Sequence, residues 1–451
     1  MSAKRSACGS VKPLVATLAL VGLLVGLAAC RGFFGQGPIA LLNVILPAED
    51  EEAPIEAAFD ISSSTDPDGT IATYEVDFGD HSAAATGTDV ADVILHTYVE
   101  GGNYKVTLTV TDNDGRIDRD VKLAVVGPLM IVFSSDRGGD FGLYRMRKDG
   151  SDEGIVLNTA RDELFPDLIR GTRDWIAYTA KEGTSWHVWT IRPDGTGQNQ
   201  LTTQTASNQI QPSWSADATL LAYASNAAQT PSTTTWEIWT MSDDGTGSIQ
   251  LTTQSPSWAI APACRPGSDD IAFVSDKTAV GGSSLWLWDD DTGASELYDP
   301  AAGGHDGDAS PAGFGAGLLT DLGLPAGAGV SKPAWSPSGD LLAFSRERTA
   351  GGIIDIYVID VDVGGTSAQS LEDYVNDRLA ERDPPVDPVA AGSITSDNHE
   401  FCPYWLEDGS GLVFVREVAG AYQLYLVSFE TGLVTPALTT SGANVMPSSV
   451  R

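Results

Sequence analysis

Five histidines, His81, His96, His187, His305 and His399, and four cysteines, Cys8, Cys30, Cys264 and Cys402, are the side chains best suited to metal binding or nucleophilic chemistry in this 451-residue sequence. Their spacing favours neither. No His-x-x-x-His or His-Glu-x-x-His pair occurs to set two imidazoles on one helix face around zinc. No Gly-x-Ser-x-Gly elbow presents a serine nucleophile. Catalysis needs a nucleophile, a base and an orienting group within reach, and no segment brings the three types together. The expectation is therefore no catalytic residue, no metal ligand and no required cofactor. His187 lies in an alternating apolar segment and reads as a packed or surface histidine. His305-Asp306-Gly307-Asp308 and Asp397-Asn398-His399-Glu400 read as solvated insertion loops before they read as metal or sugar sites. Cys264 and Cys402 read as buried free thiols. Trp186, Trp189, Trp236, Trp239, Trp286 and Trp288 could stack on sugar rings, but they read as recurring at the same position of a repeated aromatic-rich strand, which points first to packing.

One cysteine has a different context. Lys4, Arg5 and Lys12 precede the largely apolar run Leu14 to Leu27, which ends in Leu27-Ala28-Ala29-Cys30. The run is short for a spanning helix, which needs ~20 residues, and has the layout of a cleaved secretory leader. Small residues leading directly into a cysteine resemble the lipobox of bacterial lipoproteins. That resemblance implies a signal peptide at 1–29, diacylglycerol on the Cys30 thiol, and a soluble body tethered by lipid alone. Arg31 stands where an inner-membrane retention signal would place Asp. The expected location is thus the cell envelope, at the outer membrane, facing the periplasm or the cell surface.

Residues 30–40 read as a linker, and residues 41–127 as a first β domain. Ile55 to Ile61, Ile71 to Val76, Val93 to Tyr98, Tyr104 to Thr111 and Asp120 to Val126 alternate in polarity and are separated by turn sequences, the pattern of a β-sandwich. Asp66-Pro67-Asp68-Gly69 and Asp112-Asn113-Asp114-Gly115 combine a turn-forming Asp with a Gly able to take positive φ. Asp77-Phe78-Gly79-Asp80, His96-Thr97-Tyr98 and Gly102-Asn103-Tyr104 through Gly115 resemble a PKD domain, a small Ig-like module. Val76 departs from the family, which usually has Trp there. The resemblance implies a spacer or adhesion module, not an enzyme. Asp66, Asp68, Asp112 and Asp114 would suit structural Ca²⁺ if gathered; turn capping is the preferred reading.

Residues 129–451 repeat. A unit holds a Pro-Ser-Trp-like strand, an Ile-Ala-Phe/Tyr strand, an aromatic strand, an Asp-Gly-Thr turn and a Gln-Leu-Thr strand, as in Pro212-Ser213-Trp214, Leu221-Ala222-Tyr223, Glu237-Ile238-Trp239, Asp244-Gly245-Thr246 and Gln250-Leu251-Thr252. The opening prolines are Pro166, Pro212, Pro262, Pro333, Pro403 and Pro447. Two long intervals carry insertions at 300–331 and 363–398, the second with a short helix near Ser370 to Glu381. Four strands every 40–50 residues indicate propeller blades. The unit at 129–158 lacks a Pro-Ser-Trp strand, and Val445-Met446-Pro447-Ser448-Ser449-Val450 can supply it. The fold expected is all-β: an Ig-like sandwich followed by a six-bladed propeller closed by the C-terminal strand. The repeats resemble TolB-type propeller repeats, with Pro333-Ala334-Trp335-Ser336-Pro337-Ser338-Gly339 the nearest copy.

Twenty-six basic residues against 61 acidic give a net charge of −35. Phosphate backbones are held by Lys and Arg, so nucleic acid is not an expected partner, nor is a basic patch expected to dock on anionic lipid. The function expected is a non-catalytic, monomeric envelope lipoprotein binding a protein partner or surface glycan. The alternative is a carbohydrate-binding or lyase-type propeller.

Overall fold

The computed structural model describes residues 37–47, 54–80, 82–91, 93–99, 102–127, 130–168, 175–227, 235–253, 257–276, 283–289, 293–298, 332–347, 353–361, 368–380, 394 and 398–450. The leader, Cys30, His81, His305 and the insertion at 300–331 lie outside them. The chain forms two compact units, the second having residues 124–451 as its main body.

The N-terminal unit is a sandwich of two antiparallel sheets. One has the order β1 (Asn43–Ile45), β2 (Ile55–Asp60), β5 (Val93–Tyr98). The other runs β4 (Ala85–Gly87), β3 (Ile71–Asp77), β6 (Gly102–Asp112), β7 (Ile117–Val126). Alternation does the work that the sequence implies: Ile55, Ala57 and Phe59 of β2 and Tyr104, Val106, Leu108 and Val110 of β6 are buried, since successive strand residues face opposite sides. The Asp-Phe-Gly-Asp motif has a local purpose. Phe78 stacks on His96 with centroids 4.0 Å apart, and Asp80 Oδ2 lies 2.7 Å from His96 Nε2. Gly79, at φ 78°, leaves no room for a Cβ, which would fall 2.7 Å from the Lys105 carbonyl oxygen. Val76, in place of Trp, is fully buried.

The second unit has six antiparallel sheets among the described residues. From first strand outward they are β30 (Asn444–Val450), β8 (Met130–Ser135), β9 (Gly142–Arg147), β10 (Gly154–Leu157); β11 (Glu163–Leu168), β12 (Ile176–Glu182), β13 (Ser185–Ile191), β14 (Asn199–Gln200); and β15 (Gln209–Trp214), β16 (Leu220–Ser225), β17 (Glu237–Ser242), β18 (Ile249–Gln250). Then come β19 (Ala259–Cys264), β20 (Ile271–Ser275), β21 (Ser284–Asp289), β22 (Gly293–Tyr298); β23 (Ala334–Trp335), β24 (Leu341–Glu347), β25 (Ile354–Asp360), β26 (Gln369–Ser370); and β27 (His399–Trp405), β28 (Gly411–Val418), β29 (Ala421–Ser428). These are the blades of a six-bladed propeller. The first strands neighbour one another in order: β30 by β11, β11 by β15, β15 by β19, β19 by β23, β23 by β27, and β27 by β30. The C-terminal β30 pairs antiparallel with β8, Asn444 opposite Ser135 and Val450 opposite Met130.

Each blade carries the same cross-strand aromatic pair between its second and third strands: Phe133 with Tyr144, Tyr178 with Trp189, Tyr223 with Trp239, Phe273 with Trp286, Phe344 with Tyr357, and Phe414 with Tyr425. Such pairs add about 0.2–1 kcal/mol each beyond alanine. Helix α1 (Leu371–Ala380) begins within the second insertion. The Ser370 hydroxyl caps it, accepting the Asp373 N–H at 3.1 Å, as serine does at an N-terminus. Tyr374 meets Trp405 and Phe429 edge-on.

Candidate binding site at the inner ring of the propeller

Five of the six prolines that open the repeats lie within the first strands and mark a shared distortion, while Pro333 stands just before β23. Pairing of first with second strand slips between Leu164 and Asp167, Ile210 and Ser213, Ile260 and Ala263, Phe401 and Tyr404, and between Val445 and Ser448 in β30. These are β-bulges, which bend a strand and re-aim its side chains. The residue before proline takes left-handed backbone at Phe165, Gln211, Ala261 and Cys402, with φ of 51° to 56°. Non-glycine residues hold that conformation at a cost of about 1–3 kcal/mol, and such strain gathers at functional sites.

Side chains after the prolines join blade to blade. Asp167 Oδ2 accepts the Trp214 N–H at 2.8 Å, and the Ser213 hydroxyl accepts the Cys264 N–H at 3.2 Å. Where alanine replaces the polar residue, tryptophan in the next blade substitutes for it. Trp335 Nε1 donates to the Ala263 carbonyl at 2.9 Å and Trp405 Nε1 to the Ala334 carbonyl at 3.0 Å. One strand back, Gln211 Oε1 accepts the Ala261 N–H at 2.9 Å.

A cavity opens on this ring. Phe165, Asp167, Ser213, Trp214, Cys264, Lys332, Trp335, Cys402 and Tyr404 line it, together with Pro166, Pro333, Pro403 and Pro447. The centre of a water molecule can roam about 40 Å³ within it, room for roughly three waters at 10–15 Å³ each. Lys332 Nζ donates to the Pro212 carbonyl at 2.6 Å and stands 3.9 Å from Asp167 Oδ1. The Cys264 thiol is pushed up to about 12, by burial first and then by the Asp167 carboxylate. At neutral pH it is a thiol, whereas the thiolate is the nucleophile. The site therefore offers a balanced charge pair, aromatic walls and rigid proline rings, suited to holding a small side chain or the tip of an extended segment.

The other sequence candidates fall as follows. His187 is buried, its Nδ1 2.9 Å from Gln209 Oε1. His399 and Glu400, read as loop residues, begin strand β27: the Ile354 N–H reaches His399 Nδ1 at 3.2 Å, and Glu400 Oε1 takes a bond from Arg416 Nε at 3.1 Å in a buried ion pair. Asp397 lies outside the described residues. Cys264 and Cys402 are free thiols on β19 and β27, Cys402 buried as expected but Cys264 only partly so. The tryptophans do not share one position. Trp189, Trp239 and Trp286 are equivalent, Trp186 and Trp236 lie three residues before the first two of these, and Trp288 two after the third. Trp186, Trp236, Trp239 and Trp286 are buried, leaving little face for a sugar. Asp112 accepts the N–H groups of Asp114 and Arg116, at 2.8 Å and 2.7 Å. Arg116 also reaches Asp114, and Asp66 accepts the Asp68 N–H at 3.4 Å. These contacts are those of the turn-capping reading. The bulges and the Asp167–Lys332 pair had no sequence prediction. The repeated x-Pro dipeptide at one point of each first strand was their available signal.

Comparison with known proteins supports both units. The PKD domain family matches residues 43–126, and these residues form a PKD domain. Collagenase ColA of Clostridium perfringens (strain 13 / Type A) is 38% identical over 119 residues, 25% of this chain and 10% of that protein. The chain thus spans about a tenth of the length of the curated relative it matches. TolB from Acinetobacter baumannii shares the fold with a TM-score of 0.50 at 13% identity, over 78% of this chain and 80% of that one. A puromycin-hydrolyzing peptidase of Mycobacterium tuberculosis gives a TM-score of 0.42 at 12% identity, over 89% of this chain and 53% of the peptidase.

Proposed function

We propose that this chain is a non-catalytic lipoprotein of the bacterial cell envelope, anchored through Cys30, whose propeller recognises a protein partner at the inner ring while the PKD domain acts as spacer or adhesion module. The observation that carries the reading is the ring itself. One strained backbone shape recurs in the first strands, yet the side chains it presents differ: Phe165, Gln211, Ala261 and Cys402 before proline, and Asp167, Ser213, Ala263 and Tyr404 after it. Unequal side chains on a rigid frame suit specific recognition better than uniform packing. The protonated Cys264 and the neutralised Asp167–Lys332 pair favour binding over catalysis. Trp186, Trp236, Trp239 and Trp286 are buried and leave little face for a sugar ring. We read β30 as the strand that closes the ring, which removes a sheet edge that could otherwise pair with other chains. The acidic surface favours basic or cation-bridged partners, and the closed ring is read as a monomer at the outer membrane.

The test is affinity capture from envelope extracts with the full chain and with an Asp167→Asn, Lys332→Met double variant of matched melting temperature. Loss of a specific captured protein with the variant supports the reading. Capture unchanged by the variant, or hydrolysis of peptide or glycan substrates by the purified chain, contradicts it.

A further inference from the structure

The cavity on the inner ring holds two polar groups whose hydrogen bonding is incomplete. Asp167 and Ser213 occupy equivalent places on neighbouring first strands, β11 and β15, each just after the opening proline. The Asp167 side chain is 9% exposed. Its Oδ2 is taken by the Trp214 N–H at 2.8 Å. Its Oδ1 accepts no hydrogen bond from the described residues: the Lys332 ammonium stands 3.9 Å away and donates instead to the Pro212 carbonyl. The Ser213 hydroxyl accepts the Cys264 N–H at 3.2 Å. For its own proton the described residues offer only the Cys264 sulfur, a weak acceptor. A mostly buried carboxylate oxygen without a donor costs free energy, and a ligand that brings the donor recovers it.

Charge and size name that ligand group. A cation at Oδ1 is attracted by Asp167 and repelled by Lys332, and an anion the reverse, so neither recovers what it loses on leaving water. A neutral group escapes this cost. It must carry a donor for Asp167 Oδ1 and an acceptor for the Ser213 hydroxyl. A primary carboxamide carries both in one plane, and among side chains asparagine and glutamine supply it. The cavity has room for about three waters. That accommodates a carboxamide and its methylene, and is too little for a chain to run through, so the site takes the end of a side chain.

We propose that the inner-ring cavity is a carboxamide site, which seats an asparagine or glutamine side chain of the protein partner with its N–H on Asp167 Oδ1 and its carbonyl on the Ser213 hydroxyl. The inference rests on the reading of the ring as the recognition surface and adds the chemistry that the ring selects.

The experiment uses the full chain in detergent, isotope-labelled at tryptophan, with the Trp214 indole signal followed by NMR. Acetamide, acetate, methylammonium and N-methylacetamide are titrated separately. Acetamide is expected to shift the signal saturably and to bind about tenfold more tightly than the other three, and Ser213→Ala to weaken it about fivefold. Asp167→Asn is the sharper variant. Its carbonyl can still accept the Trp214 N–H, so the blade junction is kept, but a donor replaces the cavity-facing acceptor and Lys332 stands unopposed. Preference should then pass from acetamide to acetate. Acetate or methylammonium binding the parent chain as tightly as acetamide, no shift with any probe, or a preference unchanged in Asp167→Asn overturns the proposal. Equal binding of N-methylacetamide would assign the cavity to a peptide bond and also overturns it. Capture from envelope extracts reads the ring separately. A partner that saturating acetamide does not displace keeps the recognition reading and defeats the carboxamide site. Selective acetamide binding with no captured partner does the opposite.

Discussion

The first strands of the blades and the aromatic pairs behind them use repetition in opposite ways. Between second and third strands the side chains themselves repeat, an aromatic facing an aromatic in all six described sheets. In the first strands it is the backbone that repeats, through the bulge and the left-handed residue before proline, while the side chains vary. Where every blade needs the same contact, an aromatic pair at the equivalent position answers a packing demand in each. In the first strands the frame recurs while most of its side chains vary, and the recognition reading proposed above rests on that contrast.

Four perturbations sharpen that contrast. The largest effect is expected from deleting 445–451, which strips β8 of one of its two partner strands. A loss above ~5 kcal/mol, or failure to fold, is expected, read as a collapsed or split unfolding transition of the propeller. An unchanged midpoint would mean that β30 is dispensable and the ring open. Next, Trp335→Ala removes a buried ring that both packs the core and donates to the Ala263 carbonyl in the neighbouring blade. A cost of about 3–5 kcal/mol in chemical denaturation is expected. Ala261→Gly should run against the usual penalty for glycine in a strand. At φ 56° the glycine relieves strain, so stability should rise by up to ~1 kcal/mol. A loss of that size would show that the backbone there is not strained.

The smallest effect is a pH dependence. Glu163 is fully buried at the start of β11, and burial holds its carboxyl above the ordinary range despite the hydrogen bonds of Thr159. The folded chain then keeps this proton longer than the unfolded one. Its contribution is complete below the normal glutamate range and is lost as pH rises through the raised value. Glu163→Gln should therefore melt higher than the parent at pH 7 and show no advantage near pH 4. An advantage independent of pH would indicate that ionisation is not the cause.

Much of this architecture was legible in the residues. The prolines from Pro166 to Pro447 fix the blade period, and the lack of a Pro-Ser-Trp strand at 129–158 pointed to the C-terminal segment. Ser370 marked the start of α1, and Asp77 to Asp80 with His96 marked the sandwich. What escaped depends on contacts distant in sequence. The bulge arises where a first strand must pair with its own sheet and touch the next blade, which a single strand does not encode. The short edge strands β1 and β4 have three residues each, too few to show alternation. His399 and Glu400 sit among polar residues that look like a loop, but Arg416 across the strand pair supplies the partner that lets Glu400 be buried. Asp118 and Asp120 read as ordinary surface alternation, and only the approach of residues 40 and 42, whose N–H groups they accept, gives them a task.

The most direct test of the inner ring as the recognition surface is site-specific photo-crosslinking in living cells, with a photoreactive amino acid at Lys332 in the ring and, separately, at the exposed Leu433 outside it. A discrete adduct with one protein from Lys332, weakened by Asp167→Asn and not formed from Leu433, is the predicted result. Adducts from Leu433 with none from Lys332 would contradict the account and move recognition to the outer loops.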